Sequence, residues 1–182
     1  MLKFIILIFT GLMLCLFFDI ETRSEIRTLH HLIHTSDTTL RKKGFRCFMT
    51  GGQWHSTIKE IARGYSINQY CFKTVEDARR FFVPLADEYI RPFNEEPSIR
   101  PYLANYPLNS RNFYLIIKFV DMDGNELLNP WIGSIHAGHG KITYYMSAPD
   151  KSYTELLYSE PFEEAQKIVY GLDQTTHTRQ SP

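Results

Sequence analysis

The sequence predicts an α+β domain: a kinked helix packed across a mostly antiparallel sheet, in a cystatin-like arrangement, with further helices at the N- and C-terminal ends. Two periodicities and one compositional bias lead there. Between Thr74 and Asn94, Ala78, Phe82, Leu85, Tyr89 and Phe93 recur every three or four positions, the spacing of a helix with one buried face. Between Phe113 and Val120, Phe113, Leu115, Ile117 and Phe119 alternate with Tyr114, Ile116, Lys118 and Val120, the spacing of a strand with one apolar and one mixed face. Aromatic residues make up 14% of the chain, a bias toward extended strands and large packed rings.

The first helix is expected from Ile26 to Leu40, where Ile26, Leu29, Leu32 and Ile33 keep helical spacing before a basic turn at Gly44. A short strand follows in "FRCFMTGG" and should stop at Gly51 and Gly52. Residues 57–64 read two ways. Thr57 with Glu60 makes a capping box for a short helix, whereas Ile61, Tyr65 and Ile67 share one strand face, and the strand is the expected form. In the long helix Thr74 is a good N-cap, Pro84 removes a backbone donor and so predicts a kink, and Pro92 with Asn94 ends it. After the strand at Phe113, the Asp-Gly of "DMDGNE" predicts a hairpin turn; its Gly124 sits too early for a calcium-binding loop. "WIGSIHA" and "KITYYMS" are the next strands, joined by the tight turn "GHG". A last strand around "TELLY" leads through Pro161 into a helix from Phe162 to Tyr170, closed by Gly171.

Three domains of use are expected along the chain: residues 1–24 as a signal peptide or N-terminal membrane anchor, 25–172 as the single α+β domain, and 173–182 as a disordered polar tail. Phe4 to Phe18 carry no charge and would span about 22 Å as a helix, short of a roughly 30 Å hydrocarbon core, so a long signal segment and a short anchor are both open. Lys3 precedes the run, which places the body on the far side of the cytoplasmic membrane in either case, in the cell envelope or secreted. Over the whole chain 20 basic residues balance 20 acidic ones, so no nucleic-acid partner is expected. Cys47 and Cys71 then form an even pair in an oxidising compartment. A bridge between them would close a loop of about 25 residues and stabilise by roughly 3 kcal/mol; two buried free thiols are the alternative.

"SIRPYLANYP" connects the long helix to the strand at Phe113. Pro101 and Pro107 stiffen it, and Ile99, Tyr102, Leu103 and Tyr106 suit a plug at the end of the helix–sheet core. The expected role is a structural clasp; the alternative is a ligand-binding rim made of Arg100, Tyr102, Asn105 and Tyr106. The longer stretch "ARRFFVPLADEYIRPFNEEPSIRPYLANYPLNSRNFYLIIKF" resembles a segment of uncharacterised exported envelope proteins of intracellular bacteria: an amphipathic helix with Asn at its end, "IRPYL", "NYP", then an aliphatic strand. The resemblance implies an exported bacterial protein and carries no activity, cofactor or site residue with it.

Little in the sequence points to catalysis. His30 and His34 share a helix face but lack the glutamate of a zinc-protease helix, and His136 with His139 straddle a turn that explains its own glycines. No metal and no cofactor is expected. Ser134 and His136 share a strand face with Cα atoms about 6.7 Å apart, too far for an easy nucleophile–base bond, and no GxSxG elbow occurs. The expected function is therefore a non-enzymatic interaction or structural module of the envelope, attached to the membrane through its N-terminal segment and open to a protein or peptide partner through Trp131, Tyr144 and Tyr145. The alternative is a small ligand-binding protein or hydrolase with a pocket between the long helix and the sheet, lined by Arg100, Tyr102 and His136.

Overall fold

The computed structural model describes residues 26–54, 57–148 and 154–171. The expected leader at 1–24, with Cys15, and the expected tail at 173–182 lie outside them. In chain order the elements are helix α1 (residues 26–42), strands β1 (Arg46–Trp54) and β2 (Ile58–Ile67), helix α2 (Val75–Glu95), strands β3 (Phe113–Phe119), β4 (Ser134–Gly138), β5 (Lys141–Ser147) and β6 (Thr154–Pro161), and helix α3 (Phe162–Tyr170). The α+β architecture with a helix at each end is thus as expected. The six strands form one sheet in sequence order, every neighbouring pair antiparallel except β2 with β3, which run parallel because α2 carries the chain from one to the other.

One sheet face holds the core. Ile61, Tyr65 and Ile67 of β2 stand beside Phe113, Ile117 and Phe119 of β3, then Ile135 and Ala137 of β4 and Ile142 and Tyr144 of β5, each nearly or wholly withdrawn from solvent. All three helices pack on this face. Phe81 of α2 meets Phe119 at 5.9 Å, Phe162 of α3 meets Phe113 at 6.0 Å edge-on, and Asp37 of α1 accepts the hydrogen of the Tyr65 hydroxyl. The stripe read from sequence on α2, Ala78, Phe82, Leu85, Tyr89 and Phe93, is buried throughout. Each large side chain so buried contributes about 1.5–3 kcal/mol, more than any cap.

Local signals act as their chemistry dictates. Thr74 Oγ1 accepts from Asp77 N at 3.2 Å to start α2. Gly44, at φ +90°, lets Phe45 N reach back to Leu40 O and closes α1 two residues later than expected. In the β4–β5 turn His139 and Gly140 adopt φ of 51° and 79°, the pair of left-handed residues that a two-residue hairpin needs.

Two boundaries differ from the sequence reading, at the end of β1 and the start of β4, and one ambiguous stretch takes its expected form. β1 does not stop at Gly51 and Gly52; these pair with Ala62 and Ile61 and the strand continues to Trp54. Gly52 is there for space: a Cβ on it would lie 2.1 Å from the Trp54 ring. Residues 58–67 settle as strand, because pairing on both sides outweighs the local capping box. The Asp121 turn forms, with Asp121 Oδ1 accepting from Asp123 N and Asn125 N, but β4 begins at Ser134 rather than Trp131. Trp131 N and Ile132 N bond to Leu128 O and Phe72 O, so neither is free for the ladder.

Candidate functional site: the uncovered face of the sheet

Register places every second residue of the strands on the face turned away from the helices. Across it runs one row of Met49, Gly64, Ile116, His136, Thr143 and Ser159, flanked by a second of Lys118, Ser134, Tyr145 and Leu156 and a third of Ala62, Tyr114, Gly138 and Lys141. Where the helix-side residues are buried, most of these are half-exposed: Tyr114, Lys118, His136, Thr143 and Tyr145 all keep contact with solvent.

Rings lie flat on this surface because glycines leave room beneath them. A Cβ on Gly138 would come within 2.3 Å of the Tyr114 ring, and one on Gly64 within 2.8 Å of Phe48. Tyr114, freed to lean across β4, brings its hydroxyl to 3.3 Å from His136 Nδ1, and His136 in turn sits 4.6 Å, ring to ring, from Tyr145. Burial among these rings, reinforced by the Lys118 charge, lowers the His136 pKa to about 4, so the imidazole is neutral at pH 7. A neutral ring has one unprotonated nitrogen, and here it can accept the Tyr114 hydrogen. Burial also holds the Tyr114 hydroxyl protonated to higher pH than usual.

Beside this face lies the edge of β6, unpaired on its outer side among the described residues. Leu156 is 56% exposed, Leu157 38% and Tyr158 46%, and the outer backbone groups of the strand face no partner strand in the six-stranded order. Leu156 pairs with Tyr145, so the aromatic surface runs without a break to the edge. At the other end of the face a cavity of about 340 Å³ opens between Arg46, Phe48, Ser66, Lys118 and Met122. Lys118 Nζ stands 5.2 Å from the Phe48 ring centre there and 3.8 Å from Glu126.

The residues singled out in the sequence fall elsewhere. Asn94, near the end of α2, donates to Leu108 O at 2.9 Å, accepts from Leu108 N at 2.7 Å, and offers its own carbonyl to Arg100 Nη2 and the Tyr106 hydroxyl, each at 3.3 Å. Arg100 also lies over the Tyr106 ring at 5.1 Å, and Asn105 O accepts from Asn112 Nδ2 at 3.1 Å. Ile99, Leu103 and Leu108 fill the core below, with Tyr102 packed against it. Arg100 and Tyr106 are thus tied around Asn94, a hub whose importance its position at a helix end only hinted at, while Asn105 is held by Asn112. His136 stands on the face opposite α2, so it takes no part in a pocket between the helix and the sheet.

Tyr144 corrects the expected contact set: it points into the core and is fully buried, whereas Tyr145 is on the uncovered face and Trp131 is capped by Lys73 at 4.5 Å. Cys47 and Cys71 are separate, exposed thiols, Cys47 donating to Met49 O. Among the described residues no three His, Cys, Asp or Glu side chains group as a metal ion would require, and no helix is long and apolar enough to cross a membrane. Sequence reasoning gave His136 and Tyr145 separate roles, one in a pocket and one at a contact surface, and missed that strand register joins them with Tyr114 in one cluster. Compared with known proteins, the chain matches no family model, no curated protein and no solved structure.

Proposed function

We propose that this protein is an exported or membrane-anchored component of a bacterial cell envelope whose folded domain is a non-enzymatic interaction module. Its contact surface is the uncovered sheet face together with the β6 edge, and its partner is a protein or peptide that lays apolar side chains on Tyr145, Leu156 and the Tyr114–His136 pair. The observation that carries this reading is the continuity of Tyr145 with Leu156, which joins a paved, half-exposed face to an open strand edge. An extended segment added there gains main-chain hydrogen bonds from the edge and side-chain contacts from the face. The export half rests on the uncharged run Phe4–Phe18 after Lys3.

The test uses the full tagged chain in a bacterial host, with a photocrosslinking amino acid placed at Tyr145 or, as control, at Glu163 of α3. Adducts of defined mass are expected from position 145, reduced when Leu156→Glu is added, and none from 163. Equal yields from the two positions, or none from 145, overturn the interaction reading. A tag recovered in the soluble cytosol overturns the export reading.

A further inference from the structure

Strand register gives the uncovered face a second chemistry. Arg46 pairs with Ser66, Ser66 with Lys118, Lys118 with Ser134, Ser134 with Tyr145 and Tyr145 with Leu156, so one row crosses all six strands. Its β6 end is apolar and its β1 end carries two cations. Only the short Ser66 stands between Arg46 and Lys118, and these three line one cavity of about 340 Å³ together with Phe48, Asn68 and Met122.

The side chains of this cavity present free donors and occupied acceptors. The Arg46 guanidinium has no hydrogen-bond or ion-pair partner among the described residues. The Asn68 amide meets only the Met122 thioether, at 3.6 Å, a weak acceptor. Lys118 Nζ faces Glu126 at 3.8 Å, beyond hydrogen-bond distance, and Glu126 already accepts from Ser147 Oγ. Ser66 gives its hydrogen to Arg46 O at 3.4 Å. Asp121, the acidic residue of the cavity wall, has both oxygens turned to its own loop, where Asp123 N, Asn125 N and Asn125 Nδ2 donate to them. A carboxylate entering here meets N–H donors on three side chains, two of them cationic, whereas a cation meets carboxylates already engaged. Apolar contact lies beside the charges: Phe48 is 47% exposed and Met122 85%, with Lys118 5.2 Å from the Phe48 ring centre. Arginine, methionine and aromatic side chains are the types enriched where proteins meet.

We propose that the partner of this face is an acidic peptide segment, whose carboxylate sits over Ser66 between Arg46 and Lys118 while its apolar side chains lie on Tyr145 and Leu156. From Tyr145 on β5 to Ser66 on β2 is three strand spacings, about 14 Å, a distance that an extended peptide covers in about four residues. Charge at one end of the row and apolar surface at the other fix which way round the segment lies, since electrostatic complementarity sets register and orientation more than affinity. The pocket so assigned deepens, and rests on, the reading of the uncovered face as the contact surface.

The test is fluorescence anisotropy of a rhodamine-labelled heptapeptide, with leucine at its first two positions and glutamate at its last two, titrated with the full chain in detergent. Saturable binding is expected, weakening as salt rises and falling about tenfold when the glutamates become glutamine or when the chain carries Arg46→Gln. Lys118→Gln should weaken it in the same direction. Arg46 is exposed and Lys118 half-exposed, so neither replacement disturbs the core. Absence of saturable binding, equal affinity for the glutamate and glutamine peptides, or unchanged affinity in both variants overturns the proposal. A third peptide, with serine in place of the leucines, separates the pocket from the reading beneath it. Binding lost with serine but kept with glutamine leaves the apolar contact surface standing and removes the acidic pocket; binding lost with glutamine but kept with serine does the reverse.

Discussion

The Tyr144 hydroxyl of β5 donates to Glu160 Oε1 of β6 at 2.7 Å, inside the core, and Arg79 of α2 grips both oxygens of the same carboxylate at 2.9 and 3.0 Å. Glu160 is only 4% exposed, so an edge strand, its neighbour and the central helix are joined through one buried charge. Replacing Glu160 by Leu leaves Arg79 charged and unpaired and should destabilise by about 3–5 kcal/mol. Adding Arg79→Leu removes the stranded charge and should recover most of that loss. Urea denaturation of the two variants checks this; equal stability of single and double replacements contradicts it.

Alkali should unfold the protein steeply. Burial, with nearby Asp37 for Tyr65 and Glu160 for Tyr144, raises the pKa of Tyr65, Tyr89 and Tyr144 above the ordinary 10.0. Above pH 10 the unfolded chain loses these protons while the folded chain keeps them, so stability falls as pH rises. The slope is about 1.4 kcal/mol per pH unit for each tyrosine, roughly 4 for all three. Tyr65→Phe should remove about a third of it, measured by denaturant midpoints from pH 9 to 11.

On the acid side His136 works in the opposite direction. Its pKa falls from 6.5 to about 4 on folding, so the unfolded chain takes up a proton first and stability declines as pH drops from 6.5 toward 4. For a half-buried ring the loss is about 2 kcal/mol. His136→Asn should flatten stability in that window and leave the alkaline limb unchanged; an unaltered acid limb would show that other groups govern it.

The clasp at Asn94 separates structure from ligand binding in the connector. Asn94→Ala deprives both Leu108 N and Leu108 O of a partner and should cost about 2–3 kcal/mol. Tyr106→Phe, removing one long hydrogen bond from a half-exposed residue, should cost under about 1 kcal/mol. Thermal unfolding compares them, and equal costs would mean that the hub is not at Asn94.

Much of this was legible beforehand. The α2 stripe, the β3 alternation, the Thr74 cap, the turn at His139 and the span of α3 depend on neighbours a few residues away, and local chemistry is enough to read them. Gly51 and Gly52 misled because a glycine pair signals a chain break locally, while the use of Gly52 here, room for the Trp54 ring, depends on how the strand folds over itself. Tyr144 misled for a related reason. Adjacent tyrosines on a strand must point to opposite faces, but which face is the core depends on where the helices dock.

By its own order of residues the chain determined the identity of its elements and the apolar stripe each must hide, since helix and strand periods differ and water penalises an exposed stripe everywhere. The tertiary structure alone decided that α1, α2 and α3 crowd one side of the sheet, leaving Tyr114, His136 and Tyr145 half-exposed on the other and bringing Asp37, Tyr65 and Tyr89 together from three elements. Those groupings join residues as many as 52 positions apart, and no local pattern encodes which distant side chains will meet once the sheet has closed its order.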